Sequence, residues 1–388
     1  MSRQFKVLHV IGGLDSGGAE RSLQRLIAGT GRDARYTHSV VSLSSIGTVG
    51  AEMESNGVSV RPLGIRSILG VPRAFLRLFR LIRAEAPDIV QTWMYHADLF
   101  GGVASRLAGN PRVIWGVRST DMISGTSRLT AWLRRLCAIL SSSVPRFIVC
   151  AAEASRRTHE DIGYDASRMM VVPNGFDVPE RERHAAVSRR LRKDCGWPDD
   201  ARVVGCVGRF NHYKDHRNFV RASKQVADQV PLARFLMVGR DIDRANPELV
   251  SWIEQTGYAD RFALLGERSD VQACLQALDV FCLSSRSEGF PNVVGEAMAL
   301  AVPCCVTDVG DAAFLVGDTG VVVPREDAEA LARGLVQLLE MPVTELESLG
   351  ERARERIRAQ FSAQRSRERF EAVYSSLTES KAPTRLSR

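Results

Sequence analysis

The stretch SSRSEGFPNVVGEAM (284–298) holds two glutamates, Glu288 and Glu296, with seven residues between them. Proline is favoured in the first turn of a helix, so a helix is expected to begin at Pro291 or Asn292. Glu288 then falls in the loop at a strand's end, and Glu296 falls about one and a half turns into the helix. A helix N-terminus favours negative ligand charge, and the N–H groups of Gly289, Phe290 and Asn292 around Pro291 could reach a ligand. Two carboxylates accept hydrogen bonds from hydroxyls, as a sugar requires. The ordinary alternative makes Glu288 a loop charge and Glu296 a helix-surface residue.

A second group lies in VGRFNHYKDHRNFVRA (207–222), where Arg209 and Lys214 are five apart in a loop after a strand. A guanidinium and an ammonium at a strand end can clamp two adjacent phosphates; each alone reads equally as solvated loop charge. In HVIGGLDSGGAERSL (9–23), Gly12, Gly13, Gly17 and Gly18 lead from a strand into a helix. They let backbone approach a ligand and present free amides to an anion, or serve a tight turn alone. The spacing is neither G-x-G-x-x-G nor G-K-[ST], which argues against a dinucleotide dehydrogenase and a P-loop enzyme.

Weaker candidates complete the set. His96 and Asp98 in QTWMYHADLFG (91–101) could orient an acceptor or take a proton, or simply cap and pack. Arg118, after RVIWGV, sits at another strand end and could meet an anionic group. Asp241 and Asp243 form a D-x-D of the kind that binds a divalent metal in other sugar-transfer enzymes. Matches this short arise by chance, and no metal is expected.

These residues need elements to position them. Short β-branched runs alternate with helix-period segments: FKVLHVI (5–11), HSVVSL (38–43), DIVQTW (88–93), RVIWGV (112–117), FIVCAA (147–152) and MMVVP (169–173). That alternation predicts a parallel sheet flanked by helices. The polar stretch 174–200 breaks the rhythm, which restarts with RVVGCVGRF, ARFLMVGRD, RFALLGE, LDVFCLSS, AVPCCVTDVG and TGVVVP. The expectation is α/β throughout: two doubly wound, Rossmann-like parallel-sheet domains facing a cleft. Their bounds are 1–175 and 200–362, with a linker and entry helix at 176–199. A closing helix over 363–380 carries Phe370, Val373 and Tyr374 for packing, and KAPTRLSR (381–388) reads as a frayed tail.

Composition agrees with a globular protein of this organisation. The chain has 388 residues, 45% hydrophobic and 25% charged, which suits two domains of about 150–200 residues each. No apolar run approaches the roughly 20 residues that span a bilayer, and no signal peptide is evident, so a cytoplasmic location is expected. Eight cysteines include no C-x-x-C, which favours buried free thiols over zinc or disulfides. Residues 1–173 hold 22 Lys+Arg against 13 Asp+Glu, giving +9; the chain total is +7, leaving −2 for the rest. No aromatic stacking platform accompanies the basic half, so no nucleic-acid partner is expected.

Taken together, GGLDSGGAER, VVPNGFD (171–177), GRFNHYK, LLGERSDV (264–271), SEGFPNVVGEAMA and TDVG…TGVVVP make the sequence resemble the family 4 glycosyltransferases of GT-B fold. The resemblance covers nearly the whole chain. It implies a retaining transfer of a sugar from a nucleotide-diphosphate sugar, UDP-linked, without cofactor or metal. Arg209 and Lys214 would bind the diphosphate, Glu288 would touch the transferred sugar, and Glu296 would bond the ribose. Backbone amides of Gly289, Phe290 and Asn292, on either side of Pro291, would contact the sugar or phosphate. Gly17 and Gly18 would lie against the donor, and Gly266 to Arg268 would help hold the base. Two positions depart from the pattern: Arg118 and Ser119 stand where many relatives carry a histidine, and Phe314 stands where relatives often carry a glutamate.

The acceptor is expected to be a glycan or lipid-linked molecule of cell-surface polysaccharide or glycolipid synthesis. The basic amphipathic segment 127–140, with Trp132, Arg134 and Arg135, suggests contact with an anionic membrane, hence a peripheral position on its inner face. In the similar segment 72–86, Arg73, Arg77, Arg80 and Arg83 read as the solvated side of a core-facing helix. The alternatives are a sugar-nucleotide epimerase of similar fold and a non-catalytic nucleotide-sugar binding protein.

Overall fold

The computed structural model describes residues 3–15, 17–28, 35–120, 128–180 and 185–379. The expected tail 381–388, linker residues 181–184, and Ser127 and Ser380 at the ends of two expected helices lie outside those residues. The chain forms two compact units, Met1–Gly175 with Ala363–Arg388, and Phe176–Ser362.

The first unit is a seven-stranded, wholly parallel sheet: β1 (Phe5–Ile11), β2 (Tyr36–Ser42), β3 (Ser59–Pro62), β4 (Ile89–Trp93), β5 (Val113–Val117), β6 (Phe147–Cys150) and β7 (Met169–Val171). The spatial order is β3-β2-β1-β4-β5-β6-β7, so it reverses between β1 and β4. Helices on both faces bury the strands, which is why β4 and β5 are apolar or buried at every position. Two polar exceptions each make one side-chain bond: Tyr374 donates to Gln91 Oε1, and Thr92 donates to Asp98 Oδ1 at 2.6 Å, while Gln91 Nε2 and Trp115 Nε1 lack a partner among the described residues. Trp93 Nε1 donates to His9 Nδ1 at 3.2 Å, which leaves His9 Nε2 to donate to His38 Nδ1 at 2.9 Å. The helix Ala363–Thr378 closes this unit, burying Phe370, Val373, Tyr374 and Leu377 in its core. Full burial of a Phe or Leu side chain contributes roughly 1.5–3 kcal/mol.

The second unit is six-stranded and parallel: β8 (Arg202–Val207), β9 (Ala233–Val238), β10 (Phe262–Leu264), β11 (Val280–Leu283), β12 (Cys304–Thr307) and β13 (Gly320–Val323). Its order, β10-β9-β8-β11-β12-β13, reverses between β8 and β11. The α/β, doubly wound expectation holds in both units. One strand was not foreseen: β3 is SVRP, an edge strand that buries only Val60, so no apolar run announces it. All eight cysteines are free and seven are buried, Cys195 being partly exposed. The helix Val71–Glu85 buries Ala74, Leu78 and Ile82 and turns Arg73, Arg77, Arg80 and Arg83 outward.

Candidate active site

In open parallel sheets, ligands bind beyond the carboxyl ends of the strands where the order reverses. In the second unit this point lies between β8 and β11, and the loops after them carry Arg209, Lys214 and Glu288. The β8 loop is held by its own side chains. Asn211 Oδ1 accepts from the Lys214 amide at 3.0 Å, and Asp215, at φ +46, caps the helix His216–Gln229. Arg286 clamps Asp215 bidentately at 2.7 and 3.2 Å. The Arg286 amide donates to the Tyr213 carbonyl at 2.7 Å, and Ser284 Oγ donates to the Lys214 carbonyl at 2.9 Å. The β8 and β11 loops are thereby stitched together.

At this seam Glu288 Oε1 accepts from Lys214 Nζ and from Ser285 Oγ, both at 2.7 Å. The side chains of Lys214 and Glu288 are 24% and 14% exposed, so the pair is sheltered yet open to a ligand. The loop after β12 supports it from below: the Asp311 amide donates to the Gly289 carbonyl at 2.9 Å, and Gly310 lies at φ +56 against the Glu288 and Gly289 carbonyls. Only glycine fits there, because any Cβ would collide with those carbonyls in a backbone region already unfavourable for other residues. The helix begins at Asn292 with Pro291 as its cap, and Glu296 sits half-buried within it. Phe290 and Pro291 are buried. Arg209 is exposed at the mouth of the β8 loop.

Gly266 and Arg268 sit away from the reversal, after edge strand β10. The Gly266 carbonyl accepts from the Gly239 amide at 2.8 Å, and Arg268 is occupied by Asp270 at 2.8 and 2.7 Å. Asp243 Oδ1 accepts from the Ala245 amide at 2.9 Å and so shapes a turn. Among the described residues, no group of three or more His, Cys, Asp and Glu is placed to hold a metal ion.

In the first unit the reversal lies between β1 and β4. The glycine loop follows β1, and Gly18 opens the helix Gly18–Ile27 with Gly17 as its cap. The Glu20 carboxylate folds back beside Gly17, so the chain's own acid meets the helix's amide end. His96 is exposed in the first turn of the helix Met94–Leu107. Asp98 turns inward and is fully buried, accepting from Thr92 Oγ1 and, at 3.3 Å, from the Gly116 amide. Burial raises its pKa to about 7. His96 therefore faces outward, whereas Asp98 lies in the wall between β4 and β5. Arg118 lies over the Trp93 ring at 4.7 Å and the Phe370 ring at 5.5 Å, and donates to Asn174 Oδ1 at 2.6 Å. Burial pulls its pKa down to about 10.

Ser285, Asp215 and Arg286 were not singled out from the sequence. The signal for Ser285 was its position three residues before Glu288 at a strand end. Nothing in the local pattern links Arg286 to Asp215, which are 71 positions apart.

Two parallel-sheet α/β units of this kind are the GT-B fold found in glycosyltransferases. The chain belongs to that group by sequence as well: residues 16–180 match Glycosyltransferase Family 4, and residues 201–341 match Glycosyl transferases group 1. It is 25% identical over 287 residues to the UDP-Gal:alpha-D-GlcNAc-diphosphoundecaprenol alpha-1,3-galactosyltransferase of Escherichia coli, covering 73% of this chain and 74% of that one. It is 33% identical over 184 residues to the lipopolysaccharide core biosynthesis mannosyltransferase LpcC of Rhizobium leguminosarum bv. viciae, covering 45% of this chain and 51% of that enzyme. Among solved structures, Anabaena HepE in complex with UDP matches with a TM-score of 0.82 at 21% identity, over 96% of this chain and 100% of that one, a likeness of fold.

Proposed function

We propose that this glycosyltransferase moves a sugar from a UDP-linked donor to a lipid-linked or glycan acceptor in cell-surface polysaccharide synthesis. The observation that carries the reading is the Lys214–Glu288–Ser285 seam at the β8–β11 reversal. Support for donor and acceptor comes from similarity: the Escherichia coli relative is a galactosyltransferase named for UDP-Gal and a diphosphoundecaprenol-linked GlcNAc, and the HepE complex holds UDP.

The chemistry follows from the charges. Breaking the sugar–phosphate bond builds positive charge on the ring and negative charge on the departing diphosphate. Lys214 and Arg209, with the amides at the start of the helix Asn292–Ala299, would stabilise the leaving group, so the reading calls on no metal. Gly289, Phe290 and Pro291 would shape the floor, Glu288 would meet the sugar hydroxyls, and Glu296 the ribose. The retention that the family resemblance implies would come from attack on the leaving-group side, with a diphosphate oxygen taking the acceptor proton. His96 and Arg118 would be the first unit's candidates for acceptor contact, and in the second unit Gly266 and Arg268 would serve the base.

The reading extends to an anionic membrane surface. Helix Arg128–Leu140 exposes Leu129, Trp132 and Ile139 beside Arg128 and Arg135, a combination suited to lying in a headgroup layer. Among the described residues no helix is long and apolar enough to cross a membrane. A thermal-shift screen against nucleotides and nucleotide sugars tests the donor. Stabilisation by UDP and a UDP-sugar is expected, and no response to any nucleotide would overturn the reading.

A further inference from the structure

The chain enters the second unit at Phe176 and leaves it at Ser362, and these two points are tied together. The Phe176 amide donates to the Phe361 carbonyl at 2.8 Å, and Phe176 pairs with Ser362 as a parallel bridge. Both rings are 1% exposed. The Phe176 ring lies over Gly295 in the helix Asn292–Ala299, where any Cβ would collide with its Cζ, Cε1 and Cε2. It also stacks on Phe290, with centroids 6.0 Å apart and planes 18° apart. Phe290 meets Phe361 at 5.9 Å, and Phe361 meets Phe314 edge-on at 5.7 Å. Phe314 thus extends a row of four phenyl rings.

This row touches the candidate site at two places. Phe290 is two residues after Glu288, and Gly295 is the residue before Glu296. Glycine in a helix interior is disfavoured relative to alanine, and here it admits the ring. We propose that Phe176 is a positioning residue for the transfer reaction. Seated on Gly295 and stacked on Phe290, it sets Glu288 through the loop and Glu296 through the helix. The inference rests on the reading of those glutamates as donor contacts.

The test uses the full chain and three variants: Gly295→Ala, Phe176→Leu, and both together. Turnover of a UDP-sugar is measured well below the melting temperature, which is recorded for each protein. Gly295→Ala pushes the ring and is expected to lower kcat about tenfold, as sub-ångström to ångström displacements of reacting groups do. Phe176→Leu alone is expected to cost about threefold, because a smaller side chain packs the same space less tightly. The double variant is expected to return to the Phe176→Leu level, since leucine leaves room for the added methyl. Unchanged kcat in Gly295→Ala overturns the positioning role. So does a kcat loss that the double variant fails to reverse while its melting temperature recovers. A wild-type chain that neither binds UDP nor turns over a UDP-sugar overturns the donor reading beneath it, and that result is seen in the first measurement.

Discussion

Glu288→Gln separates two effects that the Lys214–Glu288 pair now joins. Lys214 Nζ lies 2.7 Å from Glu288 Oε1, and a phosphate must draw the ammonium away from that partner. At an effective dielectric near 20, unit charges at that spacing attract by about 6 kcal/mol. Solvent reaches both side chains, which are 24% and 14% exposed, and desolvation offsets most of the attraction. A net of about 1 kcal/mol remains as the cost to a competing anion. Glutamine keeps the shape and the Ser285 hydrogen bond but removes the charge. UDP is therefore expected to bind Glu288→Gln about fivefold more tightly than wild type. Turnover of a UDP-sugar is expected to fall about 100-fold, because the sugar-side carboxylate is gone. Calorimetric titration with UDP at low ionic strength reads the first effect, and a coupled assay of UDP release reads the second. Lys214→Met should weaken UDP binding about tenfold in the same titration. Unchanged or weaker UDP binding by Glu288→Gln would refute the argument that Glu288 competes with phosphate for Lys214.

Three further outcomes are expected. Gly310→Ala should destabilise the chain by about 2 kcal/mol or more in urea melts, because its φ is +56 and a Cβ meets the Glu288 and Gly289 carbonyls; wild-type stability would contradict that approach. Asp98, raised from 3.8 to about 7, binds more protons folded than unfolded across that window, so its contribution is present below about pH 4 and lost as pH rises through 7. Asp98→Asn should accordingly gain up to about 4 kcal/mol relative to wild type between pH 4 and pH 8, and a pH-independent difference in urea melts would show that the carboxyl is ionised throughout. Trp132→Ser should reduce co-sedimentation with anionic vesicles at low salt, and wild-type binding by that variant would remove the helix Arg128–Leu140 from membrane contact.

The sheets were legible because parallel strands buried on both faces read as continuous apolar runs, as in β8 and β9. Edge strand β3 was not, since SVRP buries only Val60. In the candidate site, Lys214, Glu288 and Glu296 stood out because charge at a strand end or helix start has few structural uses. The pairing of Lys214 with Glu288, 74 positions apart, was invisible, because it depends on which strands become neighbours. Asp98 shows the opposite failure: its place after β4 suggested chemistry, yet the helix Met94–Leu107 points it between β4 and β5, toward Thr92 and Gly116. Sequence position gives the end of an element, and helix phase decides which way the side chain turns.

The first unit is built from both ends of the chain, and this sets an order for its synthesis. Phe370, Val373, Tyr374 and Leu377 belong to the core around β1, β2 and β4, and Phe370 also covers Arg118. A ribosome releases residues 1–175 long before it makes them, with 176–362 still to come. At about 5–20 residues per second that interval is roughly 10–40 s. Throughout it, Gln91 lacks its tyrosine and the Trp93–Arg118 stack lies uncovered on one side. The nascent first unit therefore waits with an open apolar groove, while the second, contiguous unit folds without interruption. The core of the first unit closes only when the helix Ala363–Thr378 docks.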